Sequence, residues 1–524
     1  MLNLKCIPGK DYIAYIDGFG ESIFIDVIDL KTQEIVSGKR VPASLEFVQK
    51  IPILFDKSIK AVILNIFLSS SSAFSNNLEF CKAIRKAFDE INLLYLFVSD
   101  TCYVFTASLI NENIVSKLDE TITFIGIFSC SFAINNCKFT KAGYEIISYK
   151  TLIYDEKDGV DALYEKILQS SNSSKIVATA PLSNGLPIFK VLKEKVLKMP
   201  NFITSELGGT RKSAPKFACE IYKWLIDNSY VKYHIIPTST RYYFLQTFSG
   251  GKFNNGKFLF GSDTILPHQI TFNLPRWNLG FHITYVNETE EDRTILQKLE
   301  LGTDCHYHKI TILVDINNFP TIRCESLLSE HILNLPQKLT QIISEKYPVI
   351  IFRDLISLIC IFNPQKNQYE FLDTWNGIYG RDLFISFDEK KPKYFEKAAE
   401  VFKLKPTFVV YDLLCILSIP PNELQAIKCP SHWGFTVTKD INNPILLEFD
   451  DYNAPKTAAT PILLMAMLLK QHIKAITKKT GTKPKQLACC YFDLKGDKNL
   501  VFNSVGEALK LLKIDATEEI REFL

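Results

Sequence analysis

The 524-residue sequence predicts a mixed α/β protein with a separate, purely β region. Between residues 60 and 226, short apolar runs alternate with segments of helical spacing, which is typical of α/β folds. From Tyr233 to about Glu325 the pattern changes to short alternating runs between turn residues, which predicts an antiparallel β-sandwich. The mixed pattern returns from His331 onward. A chain of this length also exceeds one hydrophobic core, so several domains are expected.

Individual elements follow from the same periodicities. The alternating segments 12–17 and 22–28 predict paired strands, and further strands are predicted at 60–67, 93–97, 122–128, 131–134 and 175–179. Helical spacing predicts helices at 77–88, 102–110, 159–169, 187–197 and 214–226.

One strand–helix unit occurs twice. In the first copy, the apolar run Ala61–Phe67 precedes a polar loop and a helix that opens with Asn77-Leu78-Glu79-Phe80. Near the C-terminus, the apolar run Leu487–Phe492 precedes a loop and a helix that opens with Asn499-Leu500-Val501-Phe502. Both copies place Asn-Leu-x-Phe at the same point. We therefore predict one whole module followed by part of a second, similar one.

The composition favours folded domains and indicates no polyanion or membrane partner. Hydrophobic residues make up 47% of the chain and the formal net charge is +3, with no long run of one sign. We interpret the lysines from Lys470 to Lys485 as a solvated helix end and loop. The start of the chain lacks the apolar core of a signal peptide, and the most apolar stretch, Val349–Phe362, is too short to span a bilayer. The 13 cysteines show no pairing pattern, so we expect reduced thiols and a cytoplasmic protein.

Short motifs stand in a fixed order along the chain. They are Ile16-Asp17-Gly18-Phe19-Gly20, Ala61-Val62-Ile63, Gly250-Gly251, Asp263-Thr264-Ile265-Leu266-Pro267, Leu299-Glu300-Leu301-Gly302 and Ile310–Asn317. Together with the order of two α/β lobes and a sandwich, they resemble the 70-kilodalton heat-shock protein chaperone family. There the first phosphate loop is Ile-Asp-Leu-Gly-Thr-Thr, and the sandwich carries Gly-Gly and Asn-Thr-Thr-Ile-Pro.

The C-terminal third resembles the first lobe of that family again, through Arg381–Phe387, His432-Trp433-Gly434-Phe435 and Thr460–Gly481. The resemblance implies actin-like ATPase lobes. It divides the chain into a shortened first lobe at 1–120, a second lobe at 121–232, a substrate-binding-like sandwich at 233–330 and a partial second copy of lobe one at 331–524. Because the second copy carries a subdomain that the first lacks, we expect residues 332–524 to fold against the first lobe.

An ATPase of this kind needs glycines that bring backbone N–H groups to phosphates and carboxylates that organise Mg²⁺. Asp17, Gly18 and Gly20 keep part of the first loop, as a residual nucleotide contact or as a tight hairpin turn, and we favour the turn. The other positions that match the family's site lack its residue types. In this chain the second phosphate loop reads Gly126-Ile127-Phe128-Ser129-Cys130-Ser131, the loop of the second copy reads Arg353-Asp354-Leu355-Ile356, and Pro181-Leu182 stands where the family has its adenosine-binding Gly-Gly. The family's catalytic Lys falls near Leu414, and an acidic residue of its site falls near Ser99.

Two other motifs carry weaker signals. Cys305-His306-Tyr307-His308 contains metal-ligand residue types, but no second ligand pair is evident, and we interpret it as sandwich surface. Gly208-Gly209-Thr210-Arg211-Lys212-Ser213 lacks the spacing of a phosphate loop, so we interpret it as an ordinary loop.

Three hypotheses follow. The first is a chaperone-related binding protein with no catalytic residue, cofactor or metal, which binds unfolded or extended polypeptides through Gly250, Gly251, Phe253 and Phe272, and neither nucleic acid nor membrane. The alternative for the two phenylalanines is that their rings fill the sandwich core. The second hypothesis is a working ATP-dependent chaperone that uses ATP and Mg²⁺. The third is a non-catalytic structural or interaction protein.

We predict that ATP binds weakly or not at all. Each lost charged hydrogen bond costs on the order of 1.5–3 kcal/mol, so losing several moves a tight site beyond millimolar affinity. Calorimetry with Mg-ATP is expected to give no measurable heat of binding. Micromolar affinity would instead support the second hypothesis.

Overall fold

The computed structural model describes residues 4, 7, 9–127, 131–153, 160–168, 173–180, 186–197, 199–207, 210–249, 252–253, 256–276, 281–287, 293–299, 301–426, 433–453, 456–492, 494 and 496–517. Its sheets are mixed or antiparallel, and helices flank the mixed ones. The predicted mixed α/β class is confirmed.

The first lobe is a five-stranded sheet with the strand order β3-β2-β1-β4-β5. The central strand β1 is antiparallel to β2 and parallel to β4, and β2 and β4 pair in turn with β3 and β5. The elements are β1 (Tyr12–Gly20), β2 (Ser22–Asp29), β3 (Ile35–Pro42), α1 (Leu45–Leu54), β4 (Ile59–Ser69), α2 (Asn77–Glu90), β5 (Leu94–Phe97) and α3 (Asp100–Asn111).

The second lobe repeats this arrangement with the strand order β8-β7-β6-β9-β10, in which β6 takes the central place of β1. The elements are β6 (Thr121–Ile127), β7 (Ser131–Thr140), β8 (Gly143–Ile153), α4 (Val160–Leu168), β9 (Lys175–Thr179), α5 (Leu186–Val191), a π-helical segment (Leu192–Val196), β10 (Phe202–Ser205) and α6 (Thr210–Ile226).

The sandwich consists of two antiparallel sheets that contribute to one apolar core. One sheet has the order β12-β11-β15-β16 with β13 paired to β11, and the other has the order β14-β17-β18. The strands are β11 (Arg241–Ser249), β12 (Lys252–Phe253), β13 (Lys257–Phe260), β14 (His268–Pro275), β15 (Phe281–Asn287), β16 (Thr294–Leu299), β17 (Tyr307–Val314) and β18 (Pro320–Leu327).

The C-terminal module contains a third sheet of the same kind, with the order β21-β20-β19-β29-β30, and β22 also pairs with β20. Its elements are α7 (Glu330–Leu333), α8 (Leu335–Ile342), β19 (Val349–Arg353), β20 (Ile356–Asn363), β21 (Gln368–Phe371), β22 (Arg381–Asp382), β23 (Ile385–Ser386), β24 (Lys393–Tyr394), α9 (Glu396–Leu404), β25 (Val409–Val410), α10 (Leu413–Leu417), α11 (Pro421–Ala426), β26 (Thr436–Thr438), β27 (Leu446–Phe449), β28 (Thr457–Ala459), α12 (Pro461–Thr480), β29 (Gln486–Phe492), α13 (Lys498–Leu511) and β30 (Asp515–Thr517). Short 3₁₀ segments lie at Asp373–Trp375, Gly377–Tyr379 and Pro406–Phe408.

The strand–helix unit that we identified from the sequence has the same place in both sheets. Strand β4 lies parallel to β1 and leads into α2, while β29 lies parallel to β19 and leads into α13. Each helix starts at a side-chain cap that accepts a backbone N–H, from Asn76 in α2 and from Asp497 in α13. The second lobe supplies a third sheet of this topology, although its sequence lacks the Asn-Leu-x-Phe motif.

The sandwich packs directly on the first lobe. Residues of β1, β4 and α2 share one apolar cluster with residues of β11, β15 and β17. The buried guanidinium of Arg241 crosses this boundary and donates to Asn77 Oδ1 at 3.3 Å, Asn287 Oδ1 at 3.1 Å and the Asn318 carbonyl at 3.0 Å. Arg85 of α2 forms a salt bridge with Asp315 at 2.6 Å beside this boundary.

The C-terminal module joins the opposite part of the sandwich. Arg276 Nε donates to Asp382 Oδ1 at 2.9 Å, and the same guanidinium donates to the carbonyls of Tyr379 and Gly380. His306 bonds to the Ile378 carbonyl at 2.7 Å. We expected residues 332–524 to fold against the first lobe, but these contacts between described residues attach the module to the sandwich instead. The two apolar cores of the module contain no residue of the first lobe among the described residues.

We predict that Arg276→Met destabilises the protein by about 3–5 kcal/mol, because it leaves the Asp382 carboxylate buried without a counter-charge. Burial already raises the pKa of Asp382, and the charge and hydrogen bond of Arg276 are the main interactions that offset this. Urea unfolding of Arg276→Met and of the double variant Arg276→Met/Asp382→Leu tests the pair. The double variant should regain much of the loss; a single variant as stable as the parent would contradict the prediction.

Candidate functional site

Polar side chains meet at the carboxyl ends of the parallel strands in the first lobe. Asp17 lies near the end of β1 and pairs across the sheet with Asn65 of β4. Strand β5 ends at Phe97, and Asp100 begins α3 shortly after it. Crevices at this edge of α/β sheets are where ligands usually bind, so this group of residues is the candidate site.

Asn65 forms a direct hydrogen bond with Asp100 in this site. Its side chain is buried, and Nδ2 donates to Asp100 Oδ1 at 2.7 Å. Asp100 is an exposed residue, although neighbouring protein atoms desolvate its carboxylate in part. This desolvation raises the pKa of Asp100, while the hydrogen bond from Asn65 lowers it. The neighbouring Ser99, where the resemblance placed an acid, instead caps α3 by accepting the Cys102 N–H at 3.2 Å.

Aromatic rings cover this face of β1. Tyr15 stacks on Tyr103 of α3, with 5.7 Å between the ring centroids. The ring of Phe217 of α6 packs edge-on against both, at centroid distances of 5.8 Å from Tyr15 and 4.8 Å from Tyr103. Burial raises the pKa of both tyrosines, and the negative charge of Asp17 raises it further. The rings join the first lobe to α6 of the second lobe beside the carboxylates.

The two glycines of the predicted loop are accounted for by local structure. A Cβ on Gly18 would lie 2.3 Å from Ser69 Oγ, because β4 passes closely there. Gly20 has a φ of +58°, and the pairing of Phe19 with Ser22 makes Gly20-Glu21 a two-residue hairpin turn. The backbone at Asp17, Gly18 and Phe19 is therefore part of a β ladder, as the favoured hairpin interpretation requires.

The remaining positions of the resemblance fall into three groups. Residues 128–130 and Pro181-Leu182 lie outside the described residues, as do Gly208-Gly209 of the separate loop motif. Leu414 is 3% exposed and belongs to the core of the C-terminal module. Asp354-Leu355 forms a two-residue turn between β19 and β20, with Asp354 at a φ of +50°.

The predicted peptide-binding residues are only partly described. Gly250 and Gly251 lie outside the described residues, and for Phe253 only the backbone is described, which pairs with Phe248. Phe272 pairs with Ile310 across β14 and β17, and its half-buried ring packs against the sandwich core. That position favours packing of the Phe272 ring in the sandwich core over its full exposure to a bound peptide.

The Cys305-His306-Tyr307-His308 motif is not on the sandwich surface, contrary to our interpretation. Cys305, His306 and His308 are buried where the C-terminal module docks. His306 Nδ1 accepts the Ser329 N–H at 2.8 Å, so Nε2 donates to Ile378. Cys305 precedes β17, and its Sγ lies 3.5 Å from His308 Nε2, although alternation along a strand would place the two on opposite faces.

A small polar cavity of about 50 Å³ lies next to the start of α3. It is lined by parts of both lobes and the sandwich, including Ser99, Thr101, Asn135, Thr238, Thr240 and Asp263. Sequence reasoning missed this cavity as well as Asn65 and Asp100. A signal was available for Asn65, since it is the one polar residue within the apolar run Ala61–Phe67.

Comparison with known proteins gives no family: no family model matches the chain, and no curated protein matches it. Within the described ranges, no group of three or more histidine, cysteine, aspartate or glutamate side chains is arranged to hold a metal ion. A search of the described helices likewise finds none with the length and apolar character needed to cross a membrane.

We predict that Asn65→Ala raises the pKa of Asp100 and lowers the stability of the protein by about 1–3 kcal/mol, since it removes the donor from a desolvated carboxylate. Urea unfolding of Asn65→Ala, Asp100→Asn and the double variant gives the coupling between the two side chains. The double variant should lose less stability than the sum of the losses in the two single variants. Strict additivity would show that the hydrogen bond contributes nothing.

Proposed function

We propose that this chain is a non-catalytic relative of the 70-kilodalton heat-shock chaperones that binds extended polypeptide segments. The observation that carries the proposal is the repeated topology. Three sheets share one strand order and one set of strand directions, and an antiparallel sandwich follows two of them in the chain. Repeated sheets of this kind are what two actin-like lobes and a partial third copy require, and the sequence motifs supply the link to the chaperone family.

The hairpin of β1 supports loss of nucleotide chemistry. A phosphate loop must direct backbone N–H groups toward the ligand. In this chain Gly18 pairs with Ile23, and Phe19 with Ser22, up to a two-residue turn. Among the described residues, the large rings of Tyr15 and Tyr103 lie close enough to Asp17 for its charge to raise their pKa.

Polypeptide binding needs no catalytic residue, so it is compatible with a closed nucleotide site. Strand β14 is at the edge of its described three-stranded sheet. Gln269, Thr271 and Asn273 are exposed along it, while Ile270 and Phe272 are half-buried. An extended segment that pairs with such an edge gains main-chain hydrogen bonds, and alternate side chains reach the apolar positions.

A scaffold function is the second candidate, and one observation favours it. The sandwich is joined to both neighbours by deeply buried arginines, Arg241 toward the first lobe and Arg276 toward the C-terminal module. A domain built mainly to connect its neighbours would have such contacts on both sides.

A fluorescent hydrophobic peptide distinguishes these functions. We predict modest affinity with fast release, since no helical segment longer than α8 follows the sandwich before β19 in the described chain. Phe253→Asp should abolish binding and leave the fold intact, and Phe272→Asp should weaken binding at some cost in stability. Phe258→Asp on β13 is the matched control, because the Phe258 ring is 54% exposed and outside the predicted contacts.

Binding that Phe253→Asp leaves unchanged, or no binding by the parent protein, would favour the scaffold. Peptide binding that responds to ATP would favour an active chaperone.

A further inference from the structure

A groove lined mainly by lysines and apolar side chains lies on the C-terminal module, away from the sandwich and the first lobe. Its volume is about 480 Å³, and it runs between the second half of α12 and the end of α13. We call it the basic groove; it is lined by Lys470, Ile473, Lys474, Thr477, Lys478, Lys483 and Leu512.

The floor of the basic groove is apolar. Ile473 is buried and Leu512 is half-buried, and the aliphatic stems of the lysines extend along the same walls. Lys483 Nζ donates to the Leu512 carbonyl at 2.8 Å, which fixes one end of the groove. A solvated helix end, our interpretation of these lysines from the sequence, does not require such a floor.

The described residues do not neutralise the charges of the groove. No ion pair to Lys470, Lys474, Lys478 or Lys483 is formed by the residues that the structure describes. Three of these lysines follow one another at four-residue spacing along α12, where like charges destabilise a helix. The helix dipole explains a lysine in the last turn, such as Lys478, but not Lys470 or Lys474.

We propose that the basic groove binds an acidic segment of a partner protein, which places an apolar side chain on the floor and carboxylates against the lysines. Charge complementarity selects an acidic occupant, and the apolar floor selects one that also carries a Leu-like side chain. A nucleic acid would leave the floor uncovered, and the groove lining contains no aromatic side chain on which a base could stack. A flat anionic bilayer cannot enter a concave groove.

The test uses the full-length chain and a short fluorescein-labelled peptide of aspartates and glutamates with interspersed leucines. Fluorescence anisotropy should show saturable binding that weakens as salt is added. Lys474→Glu/Lys478→Glu should weaken binding by at least about tenfold. The control Lys390→Glu/Lys391→Glu makes the same change of charge at two exposed lysines outside the groove and should leave binding unchanged.

A second pair of variants tests the floor. Leu512→Ser should weaken binding, whereas Leu511→Ser, at a 60% exposed neighbour that does not line the groove, should not. Replacing the leucines of the peptide with serine should have the same effect as Leu512→Ser. Circular dichroism of each variant confirms that the module remains folded.

Three results would overturn the proposal. They are equal binding by the two charge-reversal variants, no loss of binding when the peptide lacks leucine, and binding of single-stranded RNA or phosphatidylserine vesicles in place of the peptide. Because the groove and the sandwich are separate, Phe253→Asp should not affect this binding, so failure here leaves the proposed function standing.

Discussion

The buried guanidinium of Arg276 is the contact on which the arrangement of the modules depends most. The C-terminal module has its own apolar cores, and the sandwich shares a core with the first lobe. No apolar cluster of the described residues spans the boundary between the module and the sandwich, and a charged side chain with several hydrogen bonds joins them there. A buried ion pair of this kind adds little net stability, but removing either partner is costly. The Arg276–Asp382 pair therefore favours one orientation of the C-terminal module on the sandwich more than it adds to the overall stability.

Backbone pairing and side-chain packing also determine the geometry of the candidate site. Strand β1 pairs with β2 without interruption to Phe19, and on its other side it pairs with β4 with an irregularity at Gly18. Asp17 follows Tyr15, whose ring stacks on Tyr103, and Asn65 on the paired strand donates to Asp100. The charge of Asp17 therefore acts on two buried tyrosines, Tyr15 and Tyr103, and raises their pKa.

The basic groove and the packed boundaries between modules are separate regions of this chain. The buried polar residues Arg241, Arg276 and His306 have hydrogen-bond partners across module boundaries. The lysines of the basic groove, by contrast, carry charge to the surface around apolar side chains. The buried polar residues stabilise one arrangement of the modules, whereas the groove lysines can still gain interaction free energy when a partner binds.

The sequence by itself determined the α/β class, the β region after Tyr233 and the paired strand–helix units, because periodicities of 2 and 3.6 residues act within short windows. It also determined the hairpin at Gly20, since a glycine turn is a local choice of backbone angles. Only the tertiary structure decided that Asn65 bonds to Asp100 and that Cys305 meets His308 in a buried interface. It also decided that the C-terminal module attaches to the sandwich: Arg276 and Asp382 are 106 residues apart, and neither periodicity nor composition relates side chains over that distance.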